Sequence, residues 1–134
     1  MKTTLFFGWA CVLAIGCGDA STNETGNALP DYTGGSRSVV AEPSGRTLTL
    51  TTAKPTVVLG KNEFVIAPFD GTVKAATGFM PAHGHGTKPT VVEVLPDGSS
   101  KVPLVLYMSG RWEVSFDIER AGAPETVRVD VQVP

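Results

Sequence analysis

A strict two-residue alternation runs through the C-terminal half of this chain, and little other than β-structure can accommodate it. Val127, Val129, Val131 and Val133 alternate with Arg128, Asp130 and Gln132. Successive side chains on a strand point to opposite faces, so such a stretch buries one face and wets the other. Trp112, Val114, Phe116 and Ile118 share one phase of the stretch before it, and Val102, Leu104, Leu106 and Met108 share one phase of the stretch before that. Upstream, Leu48 and Leu50 alternate with Thr47, Thr49 and Thr51. Val57–Leu59, Phe64–Phe69, Thr72–Met80 and Thr90–Leu95 read as further strands, separated by Gly60-Lys61-Asn62, Asp70-Gly71, Pro96-Asp97-Gly98, Ser109-Gly110 and Gly122-Ala123-Pro124. Fifteen glycines and ten prolines suit a chain that turns this often. No stretch keeps a helical period over ten residues. About seven short strands across residues 46–134 predict one all-β domain, an immunoglobulin-like β-sandwich.

The first residues predict an export signal. Lys2 precedes an apolar run from Leu5 to Ile15, the length of a signal-peptide core and well short of the roughly 20 residues that span a bilayer. Ala14-Ile15-Gly16-Cys17 resembles the bacterial lipobox, in which a small residue admits the peptidase and only a cysteine thiol can take the lipid thioether. Residues 1–16 are therefore expected to leave as a lipoprotein leader, with Cys17 lipidated and holding the protein on the membrane. Of the two cysteines, Cys11 leaves with the leader and Cys17 is consumed by lipid, so no disulfide is expected in the mature protein. Gly18 follows Cys17 where an aspartate would signal inner-membrane retention in enteric bacteria. The expected location is the cell envelope, on the outer membrane facing the periplasm rather than on the inner membrane. Residues 17–45 are rich in Gly, Asp, Ser, Thr, Asn and Glu, with notable apolar surface only at Leu29, Tyr32, Val39 and Val40. That is too little to offset chain entropy, so the stretch is expected to be a flexible tether reaching roughly 30 Å from the membrane.

Charge and motifs narrow the function. Loss of Lys2 with the leader leaves 10 basic against 13 acidic residues, a net charge of −3, which argues against nucleic acid as a partner. No serine or cysteine stands in a nucleophile elbow and no Gly-rich phosphate loop joins a strand to a helix, so the chain is not expected to be an enzyme.

One segment stands apart, Phe79-Met80-Pro81-Ala82-His83-Gly84-His85-Gly86, which holds both histidines of the chain. In an extended His-x-His both imidazoles point to one side, and Gly84 and Gly86 let the backbone bend them together. Imidazole with thioether favours copper over magnesium, calcium or manganese. If the strands simply alternate in direction, Met108, the Ser109-Gly110 turn and the Gly60-Lys61-Asn62 turn all finish at the end where this loop lies. Met80, His83, His85 and Met108 are then candidate ligands of one site, with Trp112 as its packed wall. Plainer roles stand beside these: Met80 and Met108 as core filler, Trp112 as the core tryptophan of a sandwich, the histidines as braces of a Pro/Gly corner.

Gly60-Lys61-Asn62-Glu63-Phe64, Met80-Pro81-Ala82-His83-Gly84-His85-Gly86 and Tyr107-Met108-Ser109-Gly110-Arg111-Trp112-Glu113-Val114 together resemble the YtkA-like domain family. The resemblance covers about Thr47 to Val133. The turn Asp70-Gly71-Thr72-Val73 departs from the family pattern by being shorter and lacking proline. The resemblance implies a small extracytoplasmic β-sandwich, often carried on a lipoprotein or membrane anchor, with a role in copper handling. Copper is thus the expected cofactor, with an envelope protein or copper acceptor as partner. The alternative is an interaction module without metal, presenting its loop to another envelope protein.

Overall fold

The computed structural model describes residues 30–134. The expected leader and Cys17 lie outside the described residues. Among the described residues no helix is long and apolar enough to cross a membrane.

The domain is all-β. Its strands are β1 (Arg37–Glu42), β2 (Arg46–Thr52), β3 (Gly60–Ile66), β4 (Thr72–Met80), β5 (His85–Gly86), β6 (Glu93–Val94), β7 (Ser100–Leu106), β8 (Gly110–Arg120) and β9 (Ala123–Val133). They form a single sheet in the order β5-β4-β8-β9-β1-β2-β3-β7-β6, with every strand pair antiparallel. The sheet folds over on itself. Phe64 on β3 meets Phe116 on β8 edge-on at 5.8 Å between ring centroids, although the two strands stand far apart in the sheet order. Gly78 on β4 likewise faces Leu104 and Leu106 of β7, and a Cβ there would approach their Cδ2 atoms at 3.4 and 3.3 Å. The two halves close over one core that includes Leu50, Phe64, Ile66, Leu104, Trp112, Phe116 and Val131.

The alternating stretches become the longest strands. β8 and β9 pair residue for residue from Gly110↔Val133 to Arg120↔Ala123, with Trp112, Val114, Phe116 and Ile118 all inside. The Asp70-Gly71 turn feeds β4, whose register against β8 shifts between Val73 and Ala75.

Several expectations are corrected. The strands number nine rather than about seven. Val57–Leu59 is a loop and not a strand, folded around the buried Asn62 side chain, which accepts from the Val58 N–H at 2.9 Å and donates to the Val58 carbonyl at 2.7 Å. Thr90–Leu95 shrinks to Glu93–Val94, because only those two residues find partners on β7, and Val91 is left 85% exposed.

A further correction concerns the expected tether. Residues 30–45 are part of the domain: Val39 and Ala41 are buried, and β1 pairs with β2 along five residues and with β9 at Ala41↔Val127 and Glu42↔Thr126. Tyr32 is only 1% exposed; its N–H donates to the Asp130 carbonyl and its carbonyl accepts from Gln132. β1 is the strand that joins the two halves of the folded sheet. Its few apolar side chains suffice because both backbone edges are paired, which a count of apolar residues does not register.

Candidate functional site

The histidine loop is the tip of a hairpin. β4 ends at Met80 and the chain turns through Pro81–Gly84, with the His83 N–H donating to the Met80 carbonyl at 3.2 Å. Gly84 takes φ +63°, a left-handed conformation that glycine adopts at little cost. The chain then returns as β5, which pairs His85 with Met80 and Gly86 with Phe79. The two histidines therefore do not share an extended strand: His83 sits in the turn and His85 on the returning edge. Both are exposed, with ring centroids 6.3 Å apart and planes inclined at 42°.

The neighbouring hairpin, β7 into β8, ends at the same place. β4 runs antiparallel to β8 with Phe79 opposite Glu113, which sets the Ser109-Gly110 turn beside the histidine loop. Gly60 pairs with Leu106, so Gly60-Lys61-Asn62 also lies at this end, although it opens β3 and is not the turn expected there. The Trp112 indole is fully enclosed and its N–H donates to the Met108 carbonyl at 2.9 Å.

Tyr107 links the two hairpins and was not singled out as a site residue. Its ring stands edge-on to Trp112 at 5.3 Å and lies 6.4 Å from His85. The signal available in the sequence was its phase: in the alternation of β7 it faces out where Leu106 faces in. A groove of about 350 Å³ separates the hairpins, lined by Met80, Pro81, His83, Gly110, Arg111 and Glu113 among others. Arg111 in that groove is committed elsewhere, to Asp130 and, at 3.5 Å, to Asp31. Glu113 forms no ion pair among the described residues.

The four candidate ligands are therefore divided. His83 and His85 stand together in solvent, whereas Met80 is 2% exposed and faces the core, and Met108 packs partly buried against the same core. The expectation of one His2Met2 cluster is corrected in this respect: strand phase sends the thioethers inward and the turn sends the imidazoles outward. Trp112 does not line the groove: it is enclosed in the core, with Tyr107 packed on it and 6.4 Å from His85. No group of three or more His, Cys, Asp or Glu side chains gathers around one point among the described residues. A second concentration of charge lies at the far end of the domain, where Asp70 meets Arg46 at 2.6 Å and the buried Arg120 at 3.1 Å.

Compared with protein-family models, with curated proteins and with solved structures, the chain matches none of them.

Proposed function

We propose that this is a lipid-anchored envelope protein whose β-domain binds copper, or passes it to an acceptor, through the loop that carries His83 and His85. The observation that supports the reading is the pairing of two solvent-facing imidazoles whose ring centroids are 6.3 Å apart. With metal–nitrogen distances of about 2 Å, two imidazoles sharing one first-row ion place their centroids roughly 5–6.5 Å apart. The observed separation falls at the wide end of that range, and Gly84 between the two residues has open space around it. Two further considerations agree with it. The motifs resemble those of the YtkA-like family, for which copper handling is implied, and the lipobox at Cys17 would hold the domain in the envelope, on the outer membrane facing the periplasm. The role is binding rather than catalysis.

A second reading is favoured by a different observation. Phe79, Val105 and Tyr107 are 45%, 52% and 46% exposed near the same loop. Apolar surface of this kind suits an interaction module that docks another envelope protein without metal.

Copper titration of the full chain beside the His83→Ala/His85→Ala variant separates the two. The proposed function expects the double variant to remain folded and to lose binding, because loop residues tolerate change better than strand residues. Equal affinity in both proteins would leave the interaction module as the better account.

A further inference from the structure

We infer that the open edge of β7 takes an extended, acidic segment of another protein as an added strand, in the groove beside Lys61 and Lys88. The inference is independent of the copper reading; it gives a docking surface on this domain a position and a partner chemistry. On one side β7 pairs with β3 along its whole length, but on the other only Ser100 and Lys101 meet β6. In an antiparallel strand, alternate residues direct their N–H and C=O groups to opposite neighbours. The Leu95 N–H donates to the Ser99 carbonyl at 2.8 Å, which puts Ser99 and Lys101 in the phase that faces β6. The register of β7 on β3 runs without a shift, so Pro103 and Val105 share that phase. Pro103 has no N–H, and this is the phase in which β3 does not miss it. Pro103 also explains why β6 is short: the register Glu93↔Lys101 would set Val91 opposite Pro103, and Val91 is left exposed. The carbonyl of Pro103 and both backbone groups of Val105 therefore face an edge that no strand occupies among the described residues.

That edge opens into a groove of about 420 Å³, whose opposite wall is residues 86–90. β4 holds this wall from behind: the Thr87 N–H donates to the Gly78 carbonyl at 2.8 Å and the Thr90 N–H to the Ala76 carbonyl at 3.2 Å. Val105 and Tyr107 give the groove apolar surface; Lys61 and Lys88 line it, and no described carboxylate does. Lys88 makes no ion pair among the described residues, and Lys61 stands 3.7 Å from Glu63. Two such lysines in a chain of net charge −2 favour an acidic segment over a basic one. A second copy of this chain is the poorer occupant. Pairing two β7 edges would bring the lysines of both copies together, and lysine and proline on an edge discourage like edges from joining. In an added strand the backbone bonds supply affinity and the side chains supply choice.

The test titrates the full chain with a labelled, end-capped peptide, Glu-Val-Thr-Val-Glu, and with its counterpart Lys-Val-Thr-Val-Lys. The acidic peptide is expected to bind and the basic one to fail. Exchange of the Val105 amide hydrogen should slow when the acidic peptide is bound. Lys88→Glu should weaken that binding about tenfold, whereas Arg128→Glu, the same change of charge on β9, should alter it by less than about twofold. N-methylation of alternate peptide amides should abolish binding in at least one of its two phases, because the charges stay while backbone bonds are lost. Equal losses with Lys88→Glu and Arg128→Glu, or binding that both N-methylated peptides retain, would reduce the contact to general attraction and overturn the added strand. Self-association of the chain that slows the same Val105 exchange would put a second copy on the edge and overturn the acidic partner. An acidic peptide that does not bind at millimolar concentration overturns the inference and leaves the copper titration to decide the function by itself.

Discussion

The indole N–H of Trp112 donates to the main-chain carbonyl of Met108 at 2.9 Å, four residues back across the Ser109-Gly110 turn. That bond ties the first inward side chain of β8 to the end of the β7 segment and satisfies a carbonyl at the rim of the core. The ring itself is fully enclosed, with Tyr107 edge-on to it and Gly78 packed against its face. Trp112→Ala is expected to cost about 3–5 kcal/mol through the cavity it leaves. Against a total stability of about 5–15 kcal/mol, this threatens folding. Trp112→Phe keeps much of the packing but abandons the Met108 carbonyl, at about 1–3 kcal/mol if water does not replace the bond. Chemical denaturation measures both, and an unchanged midpoint for the alanine variant would contradict the burial described.

Truncation tests the place of β1. A chain beginning at Pro30 should fold, because it keeps Tyr32 and β1, whereas one beginning at Arg46 should lose cooperative unfolding. Removing β1 leaves β2 and β9 each with an unpaired backbone edge in the middle of the sheet and uncovers core side chains. Thermal unfolding followed by circular dichroism reports the difference. Equal transitions in the two chains would return residues 30–45 to the role of tether.

Acid should loosen the far end of the domain. Slight desolvation alone would raise the Asp70 carboxyl, but the hydrogen bond from Arg46 and the positive charges of Arg120 and Arg46 outweigh it and hold the group below its ordinary value of 3.8. A carboxyl depressed by folding stabilises the folded state fully above that ordinary value. The contribution then fades as pH falls from 3.8 through the lower folded value. Asp70→Asn should therefore be less stable than wild type at neutral pH, with the gap closing below pH 3.8. Denaturation midpoints of the two proteins across this range check the sign; a gap that widens in acid would contradict it.

Lipidation tests the anchor. Cys17→Ala should abolish incorporation of labelled fatty acid and release the protein from the detergent phase, because Cys11 is the only other cysteine and falls within the proposed leader. A wild-type protein that takes up no acyl label would remove the lipoprotein reading and the membrane as partner.

The all-β character and the longest strands were determined by the sequence alone. Trp112–Ile118 and Val127–Val133 carry a two-residue period that is a local property, readable without knowing any partner. The same local signals isolated the histidine loop, since Pro81, Gly84 and Gly86 punctuate it and no other histidine exists. Tertiary structure alone decided the rest. β1 holds because β9, distant in the chain, comes to flank the edge that its hairpin partner β2 leaves open, and Thr90–Leu95 fails because its position leaves partners for only two residues. Alternation of direction placed Met80, His83, His85 and Met108 at one end of the domain, but it carried no information about depth. Depth depends on which face of the folded sheet closes over the core. That closure buried Met80 and partly buried Met108, left the imidazoles in water, and set Tyr107 near His85 and Glu113 in the groove that His83 lines.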